Sequence, residues 1–446
     1  RDNVGGTCLN WGCIPSKIMK TTADMLENFR RAPEFGIRVT GEISPDMERL
    51  TARKEKIIED QAKGMLNILD KHKVRYLRGV GYIKDFGQAA VKLQDNQPID
   101  LAWDRLILAL GTQPRPIPLF PFDEKRIISS NEALCLRQIP ESLIIVGAGV
   151  IGCEFAFIFT SLGSRVTVVE AMSRILPLPS VDEEASKVLG KEMKKRKIKF
   201  IPGRTVEDIE KNQEKVCVTL GRSPFNQAVK KKDPSHLTIE AEKMLVCIGR
   251  NPDTSAIGLE KLGVERDDQG WIRVNERMET NIPHVYAIGD TLGPSKIMLA
   301  HVASTEGRVA AQNAMGGKRI MNYDIVPAAI FTMPEVANVG LTEAQAIQQG
   351  YKVQWDSVLF RTIGKAQVTG EIQGHAKIIS NAENEKILGV HIVGPHASEL
   401  IAEATLAMQM KGTVKDLAET IHAHPTLAEV MLEVSLRRDI KDVNNR

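Results

Sequence analysis

The sequence predicts an α/β fold divided into several domains, with an α+β segment at its C-terminal end. At 446 residues the chain is too long for a single hydrophobic core, and its length suggests about three domains. An apolar run at residues 143–146 leads into the turn Gly147-Ala-Gly-Val-Ile-Gly152, an amphipathic helix and a second apolar run. This order is typical of a dinucleotide-binding strand–turn–helix–strand unit. From residue 326 onward, short strand-like runs precede two helix-like segments, as in an α+β domain.

The composition excludes several classes of protein. With 43% hydrophobic and 26% charged residues, the chain has an ordinary globular composition. The net charge of +3 is small, and basic residues are interspersed with acidic ones, which argues against a nucleic-acid surface. No apolar run approaches the roughly 20 residues of a membrane helix. Six cysteines are too few for a secreted disulfide framework, and in the absence of a secretory feature we expect a cytoplasmic protein.

The first part of the chain predicts two helices followed by short strands. Apolar residues at helical spacing, after a proline, predict a helix over residues 13–31, and a longer charged helix is expected over 45–72. Strand candidates follow at 75–77, 81–84, 90–93 and 106–110. Pro114, Pro116 and Pro118 leave no room for a helix or a central strand, so we place a domain crossing there.

Further elements are predicted along the rest of the chain. Strands are expected at residues 166–169, 198–201, 244–248, 271–274, 285–288, 353–357, 376–380 and 387–392. Helices are expected from about residue 303 and at residues 397–410 and 427–436. Residues 223–236 include Lys230-Lys-Lys232 and predict a charged surface hairpin.

The glycine-rich turn predicts binding of a dinucleotide. Gly147 permits the tight turn, Gly149 lets the backbone approach a pyrophosphate, and Gly152 lets helix and strand pack closely. The pyrophosphate would lie at the helix N-terminus, where free N–H groups favour an anion. Glu170 ends the next strand at the position of the acid that binds the ribose hydroxyls, which favours NAD over NADP. The nearby Arg174 is the one feature that would suit a 2′-phosphate.

A second motif, Gly5-Gly-Thr-Cys-Leu-Asn-Trp-Gly-Cys-Ile-Pro-Ser-Lys17, contains two closely spaced cysteines in a loop that runs into a helix. Cys8 and Cys13 can close a small redox-active disulfide, and the helix dipole would lower the pKa of Cys13. Two independent buried cysteines, or half of a metal site, are the alternatives. We expect no metal site, because no further cluster of Cys and His offers the other ligands.

These two motifs and several others resemble, in their order along the chain, those of the flavoprotein disulfide reductases. The other matching motifs are Ala109-Leu-Gly-Thr112, Ile248-Gly-Arg-Asn-Pro252, Ala287-Ile-Gly-Asp290, Met298-Leu-Ala-His301 and His422-Ala-His-Pro-Thr426 with Glu429. The resemblance covers essentially the whole chain. Within the family, Ile14-Pro-Ser-Lys17 and the doubled histidine are most similar to the members that oxidise dihydrolipoamide.

The resemblance implies a domain order and a set of partners. It implies two Rossmann-like dinucleotide-binding domains, one for FAD and one for NAD, and a C-terminal α+β dimerisation domain. We place the FAD domain at residues 1–115, the NAD domain at 116–262, a return to the FAD-binding region at 263–325 and the dimerisation domain at 326–446. The implied partners are a second copy of the chain and the lipoyl domain of a 2-oxoacid dehydrogenase or glycine cleavage complex, with no nucleic acid, membrane or metal.

The resemblance also implies the roles of individual residues. Cys8 would exchange with dihydrolipoamide, and Cys13 would contact the flavin and return the electrons through FAD to NAD⁺. Lys17 would lie beside the flavin ring, paired with Glu154. His424, oriented by Glu429, would be the acid/base that acts on the cysteines of the partner subunit, and His422 would be structural. The implied cofactor contacts are Gly6, Thr7, Lys17, Gly81, Leu110, Gly111, Thr112, Gly147, Gly149, Val150, Ile151, Gly152, Glu154, Glu170, Val206, Gly249, Asp290, Met298, Leu299, Ala300 and His301.

The sequence departs from the family pattern at its start and at Leu110. Family members begin with a strand, a GxGxxG turn, a helix and a second strand that bind the ADP half of FAD. This sequence contains a single GxGxxG, at Gly147, and it belongs to the predicted NAD-binding unit. We therefore expect an N-terminally truncated chain that binds FAD poorly or folds incompletely in that domain. Leu110 stands where the family often has Thr, and we assign no functional meaning to it.

Rival activities within the family fit the sequence less well. Mercuric reductases have a vicinal cysteine pair near the C-terminus, and this chain ends Asp442-Val-Asn-Asn-Arg446. Glutathione reductases favour basic residues where Glu170 stands, and soluble transhydrogenases lack the intact cysteine pair. A glutathione-reductase-like enzyme and a non-catalytic, FAD-deficient dimerisation module remain as alternatives.

Overall fold

The fold was analysed in a computed structural model that describes residues 3–93, 97–225, 235–255 and 257–444, with side chains to residue 437. The first part contains three helices and five strands. The helices are α1 (Gly6–Trp11), α2 (Cys13–Arg31) and α3 (Met47–Lys71), and the strands are β1 (Gly79–Asp85), β2 (Gln88–Leu93), β3 (Pro98–Ala102), β4 (Leu106–Leu108) and β5 (Thr112–Pro114). Both predicted long helices are confirmed.

The long helices begin where the local sequence provides a reason. Asp46 caps α3 by accepting a hydrogen bond from the Arg49 backbone N–H at 3.0 Å, which satisfies a donor that the helix leaves free. α2 buries Met19, Ala23 and Leu26 along one face, as expected of an amphipathic helix. The strand predicted at residues 75–77 is wrong, because these residues are paired with no strand in the described part of the chain.

Strands β1, β2 and β3 form an antiparallel sheet, whereas β4 pairs in parallel with β15 (Val285–Ala287), far away in sequence. β5 pairs antiparallel with β14 (Arg250–Pro252) beside the predicted domain crossing. These two pairings join strands before residue 115 to strands after residue 249.

The middle part is a parallel α/β domain with a small antiparallel sheet. Its strands are β6 (Ile127–Ile128), β7 (Ser142–Val146), β8 (Arg165–Glu170), β9 (Lys199–Pro202), β10 (Arg204–Lys211), β11 (Val216–Arg222), β12 (Leu237–Ala241) and β13 (Lys243–Val246), and its helices are α4 (Ser130–Cys135), α5 (Val150–Leu162) and α6 (Glu183–Lys195). The parallel sheet has the order β6-β13-β7-β8-β9, which is the doubly wound arrangement that the glycine turn predicts. Most of the predicted hairpin at residues 223–236 lies outside the described residues.

Helix α5 is buried on nearly all sides, with only Val150, Ile151 and Thr160 partly exposed. It packs against α2 and the parallel sheet in the largest core cluster, which joins the first and middle parts of the chain. The return segment contains α7 (Leu259–Leu262), β15 and α8 (Ala300–Ala314). The strand predicted at residues 271–274 is wrong, because only Ile272 forms an isolated bridge, to Arg266.

The C-terminal part is a five-stranded antiparallel sheet covered by helices. Its strands are β16 (Ala328–Ile330), β17 (Glu335–Gly340), β18 (Val353–Leu359), β19 (His375–Asn381) and β20 (Ile387–Gly394), and its helices are α9 (Glu343–Gln348), α10 (Gly364–Thr369), α11 (Ala397–Gln409), α12 (Val414–Ala418) and α13 (Glu429–Asn444). The sheet order is β16-β17-β20-β19-β18. All seven residues of β19 are buried. The three strands and the helix predicted at residues 397–410 are confirmed within a few residues, and the helix predicted at 427–436 is present but extends to Asn444.

The three parts together confirm the predicted α/β architecture with an α+β C-terminal domain. Lys377 of β19 is buried and joins the C-terminal part to the middle part through an ion pair with Asp182 at 3.1 Å. Within the described residues, no helix is both long and apolar enough to cross a membrane. The exact domain boundaries stay predictions.

Candidate active site

The two cysteines of the N-terminal motif lie on consecutive helices. Cys8 is inside α1, and Cys13 is the first residue of α2. The expectation that Cys8 lies in a loop is wrong: six residues form a short helix, which ends at Gly12. Gly5 starts the motif with φ of +100°, and a Cβ atom there would lie 2.5 Å from Leu9 Cδ2, so the entry into α1 requires glycine.

Cys8 and Cys13 are free thiols placed for a side-chain hydrogen bond in which Cys8 would donate. That hydrogen bond is the main cause of a lowered pKa at Cys13, about 7 instead of 9.0; the positive charge of Lys17 lowers it further, against the opposite effect of burial. The same hydrogen bond and burial raise the pKa of Cys8. The pKa of Cys13 is therefore lowered, as predicted, and the interaction with Cys8 is the largest cause.

Lys17 and Glu154 form the ion pair that the sequence predicts. The Lys17 Nζ atom lies 2.8 Å from Glu154 Oε2 and 3.0 Å from Oε1, and 4.3 Å from the centre of the Phe331 ring. Glu154 is buried and also accepts a hydrogen bond from the Phe331 backbone N–H at 3.0 Å. Lys17 lies four residues after Cys13, which is about one helical turn. The contacts of Lys17 therefore bring Glu154 and Phe331, from distant parts of the chain, close to Cys13.

The glycine turn has the shape required for a phosphate-binding loop. Gly147 has φ of +102°, and a Cβ atom on Gly152 would lie 1.9 Å from the Gly147 carbonyl oxygen. In contrast, a Cβ atom on Gly149 would meet nothing within 4 Å, and Gly149 caps α5 without a side-chain hydrogen bond. The N–H groups of this helix start are therefore open to an anion, and Val150 and Ile151 form its first turn.

Glu170 and Arg174 explain the predicted preference for NAD. Glu170 accepts hydrogen bonds from the backbone N–H groups of Ala148 at 2.6 Å and Met172 at 2.8 Å, so its carboxylate is fixed beside the turn. The Arg174 guanidinium donates to four acceptors: Leu176 O, Ser186 Oγ, Leu178 O and Val181 O. Both terminal nitrogens of Arg174 are therefore used in hydrogen bonds within the local fold, and the guanidinium is not available for bidentate binding of a 2′-phosphate.

Asp290 lies in a single 3₁₀ turn after β15 and is linked to the crossing strands. It accepts a hydrogen bond from the Thr112 hydroxyl at 3.3 Å, and that hydroxyl accepts one from Arg250 Nε at 2.7 Å. Arg250 also donates to the Thr112 carbonyl oxygen at 2.9 Å. These contacts place Thr112 and Asp290, both predicted to contact FAD, next to each other. They also add Arg250, which the sequence shows only as part of the motif at residues 248–252.

The remaining predicted cofactor residues fall into four groups. Gly6 and Thr7 precede Cys8 in α1. Met298, Leu299, Ala300 and His301 lie at the start of α8, where Leu299 caps the helix without a side-chain hydrogen bond. Gly111 and Gly249 have φ of +69° and +121° and precede the paired strands β5 and β14. Gly81 is exposed on β1, whereas Leu110, after β4, and Val206, on β10, belong to hydrophobic clusters. Contacts of these residues with a cofactor stay predictions.

His424 and Glu429 form the predicted pair near the C-terminus. His424 Nδ1 lies 2.8 Å from Glu429 Oε1, and Glu429 Oε2 accepts a hydrogen bond from the Thr426 N–H at 2.8 Å. The hydrogen bond with His424 is the first cause of a lowered pKa at Glu429. The side chain of His424 is 76% exposed. No hydrogen bond or ion pair between described residues joins it to Cys8 or Cys13, so one chain alone does not assemble the three groups.

Groups that could hold FAD and NAD are present beside the cysteine pair and at the glycine turn. The open helix start and the fixed carboxylate of Glu170 fit a dinucleotide, and Lys17, Thr112 and Asp290 provide charged and polar groups of the kind that a flavin nucleotide needs. No group of three or more metal-ligating side chains was found in the described part of the chain.

Comparisons with known proteins agree with this description. Residues 2–307 match the family model for pyridine nucleotide-disulphide oxidoreductases, and residues 326–435 match the dimerisation domain of the same family. The chain is 41% identical to a dihydrolipoyl dehydrogenase of Chlamydia muridarum, over 97% of this chain and 89% of that protein. It is 37% identical to a dihydrolipoyl dehydrogenase of Bacillus subtilis, over 100% of this chain and 93% of that protein.

A solved structure is also similar. The crystal structure of LpdA from Mycobacterium tuberculosis superposes with a TM-score of 0.89 at 28% identity, covering 98% of this chain and 92% of that one. The predicted fold class, with two dinucleotide-binding domains and a dimerisation domain, is confirmed, and the match to the dimerisation domain supports a homodimer. The chain belongs to the pyridine nucleotide-disulphide oxidoreductase family.

Proposed function

We propose that this protein oxidises protein-bound dihydrolipoamide to lipoamide and passes the electrons to NAD⁺, with FAD as its resident cofactor. The observation that carries the proposal is the Cys8–Cys13 pair, in which the pKa of Cys13 is lowered to about 7 beside the Lys17–Glu154 ion pair. The similarity to dihydrolipoyl dehydrogenases over nearly the whole chain supports the same conclusion.

The cysteine pair performs thiol–disulfide exchange. One thiolate of dihydrolipoamide attacks the Cys8 sulfur of the oxidised pair, the Cys8–Cys13 bond breaks, and Cys13 leaves with the electron pair as a thiolate. A low pKa makes a good leaving group, so the environment of Cys13 favours this direction. The second substrate thiol then attacks the substrate sulfur bound to Cys8, which closes the lipoamide disulfide and releases Cys8 to take up a proton.

His424 supplies the acid/base function. Its Nδ1 faces the Glu429 carboxylate, which fixes the tautomer with a hydrogen on Nδ1 and leaves Nε2 free to accept the proton of an incoming thiol. Because His424 is exposed and makes no contact with the cysteines of its own chain, we assign it to the cysteine pair of the partner subunit in the homodimer. The two substrate protons then rest on Cys8 and His424.

The chain's own residues hold the cofactors. Lys17, Thr112 and Asp290 would bind FAD, and the turn at residues 147–152 with Glu170 would bind NAD⁺. The chemistry that bound FAD supplies is acceptance of the electron pair from the dithiol and its delivery to NAD⁺ as a hydride. Glu170 and the committed Arg174 favour NAD⁺ over NADP⁺ in this step.

The macromolecular partner in this proposal is a lipoyl domain. Dihydrolipoamide is carried on such domains in the 2-oxoacid dehydrogenase and glycine cleavage complexes, and the substrate chemistry is the same in all of them. We also propose that the protein is cytoplasmic.

The test is NADH formation from dihydrolipoamide and NAD⁺ by the FAD-loaded protein. Cys8→Ser should abolish it, whereas Cys135→Ser, which replaces an exposed cysteine of α4, should leave it unchanged. NADPH with glutathione disulfide is the competing pair. A protein that prefers that pair, or that keeps its activity without Cys8, would contradict the proposal.

A further inference from the structure

The segment that contains His424 is not held by backbone hydrogen bonds. It runs from the end of α12 to the start of α13, and residues 421–426, all of them described, make no backbone-to-backbone hydrogen bond. Four of the five residues from Ile421 to Pro425 are exposed. Side chains must therefore determine where this segment, and the imidazole of His424, is held.

His422 is the one residue of that stretch whose side chain points inward. Its side chain is 5% exposed. Its Nδ1 lies 2.8 Å from the Thr420 carbonyl oxygen, and its Nε2 lies 2.8 Å from Oε1 of Glu403 on α11. The Thr420 carbonyl oxygen can only accept a hydrogen bond, and an ionised Glu403 carboxylate likewise only accepts. With Glu403 ionised, both ring nitrogens of His422 therefore donate.

This geometry differs from that of His424 two residues later. His424 has an acceptor at Nδ1, which is Glu429, and no hydrogen-bond partner at Nε2 among the described residues. Oxygen atoms thus face both ring nitrogens of His422, whereas Nε2 of His424 is left to exchange a proton. Glu403 and Glu429 are the carboxylates that face the pair, from α11 and from the first turn of α13.

We propose that His422 is a positioning residue for the oxidation of dihydrolipoamide. As an imidazolium bonded to Glu403, it fastens the segment to α11 and so sets the position of the His424 imidazole from the N-terminal side, while Glu429 does so from the C-terminal side. The inference rests on the proposed function, because it assigns His422 to the same proton transfer. It adds a charged pair, His422 and Glu403, that contacts neither substrate nor cofactor.

The expected effect is on turnover rather than on affinity. Displacement of an acid/base by about 1 Å can reduce the rate on the order of 100-fold. Loss of the hydrogen bond between His422 and Glu403 should therefore lower kcat for dihydrolipoamide roughly 10- to 100-fold. KM should change little, because this pair makes no contact with substrate. Reduction of bound FAD by NADH does not use His424, so its rate should not change.

Two isosteric variants separate the two hydrogen bonds. The amide N–H of His422→Asn can replace Nδ1 and keep the bond to Thr420, whereas that of His422→Gln can replace Nε2 and keep the bond to Glu403. Each should lower kcat, and Glu403→Ala should lower it to the level of His422→Asn. The double variant His422→Asn/Glu403→Ala should lose no more than the single ones, because both remove the same contact. Glu399→Gln removes an exposed charge from the same helix and is the matched control.

The experiment compares dihydrolipoamide oxidation, NADH-driven flavin reduction and the ¹⁵N spectrum of labelled histidine in the FAD-loaded protein. A selective loss of kcat, non-additive in the double variant, with both nitrogens of His422 protonated in the wild type, supports the inference. The inference would be overturned by variants that keep the wild-type kcat, or by variants in which flavin reduction by NADH falls as much as dihydrolipoamide oxidation. A neutral His422 in the wild type would also overturn it. A wild-type protein that is reduced by NADH but does not oxidise dihydrolipoamide would instead overturn the proposed function, and the inference with it.

Discussion

Replacing Cys8 with alanine removes the group that has the largest effect on the pKa of Cys13. In the dithiol state that pKa is about 7 instead of 9.0, and the hydrogen bond from Cys8 is the first cause of the difference. Alanine cannot donate, so the pKa should rise. Because Cys13 is exposed and solvent screens its neighbours, we expect a rise of about one to two units rather than more.

The consequence for reactivity follows from the fraction of thiolate. At pH 7 a thiol with a pKa of about 7 is about half ionised, whereas one with a pKa between about 8 and 9 is roughly 10% to 1% ionised. The pH midpoint of alkylation is a better measure than the rate at one pH, because a thiolate of higher pKa is intrinsically more nucleophilic. That greater nucleophilicity would partly hide the loss of thiolate.

The assay is alkylation of the reduced protein by iodoacetamide over a range of pH, with the Cys13 peptide quantified by mass spectrometry. Cys8→Ser retains a hydrogen-bond donor and should shift the midpoint less than Cys8→Ala. Lys17→Met should also shift it less, since the charge of Lys17 is a smaller cause. An unchanged midpoint in Cys8→Ala, or a larger shift in Lys17→Met, would refute the assignment of the thiolate to the Cys8 hydrogen bond.

The other predictions concern the nucleotide turn and the acid/base. Gly152→Ala should destabilise the protein by about 1–3 kcal/mol in thermal unfolding, since its Cβ would overlap the Gly147 carbonyl. Gly149→Ala should unfold like the wild type but raise the KM for NAD⁺, because its Cβ enters the space left open for a phosphate; equal unfolding of both variants would contradict this. Glu170→Gln should raise the KM for NAD⁺ without improving NADP⁺, and a switch to NADP⁺ would show that Arg174 is free after all. His424→Gln should reduce dihydrolipoamide oxidation roughly 100- to 10,000-fold while flavin reduction by NADH is retained; equal loss of both reactions would speak against its role.

Features with a local signal could be predicted from the sequence. The helix from Cys13 to Arg31 and the strands of the C-terminal sheet repeat apolar residues at the spacing of their element. The glycine turn is marked by the spacing of its three glycines. The family resemblance implied the Lys17–Glu154 pair and the His424–Glu429 pair. The structure contains the ion pair between Lys17 and Glu154 and the hydrogen bond between His424 and Glu429.

Features that depend on distant parts of the chain could not be predicted in this way. The pairing of β4 with β15 joins segments that no spacing rule connects, and the Arg250–Thr112–Asp290 contacts follow from that pairing. Residues 271–274 have the alternation of a strand but find no strand partner in the described chain. Helix α1 is too short for helical periodicity to be visible.

The most direct test of the central claim follows the thiols of the cysteine pair. Oxidised, FAD-loaded protein is mixed with dihydrolipoamide in the absence of NAD⁺, alkylated, and examined by mass spectrometry; a second sample receives NAD⁺ before alkylation. The account predicts that Cys8 and Cys13 both become labelled in the first sample, and that in the second this labelling disappears as NADH forms in a matching amount. NADH formation without labelling at Cys8 and Cys13, or labelling at other cysteines only, would contradict it.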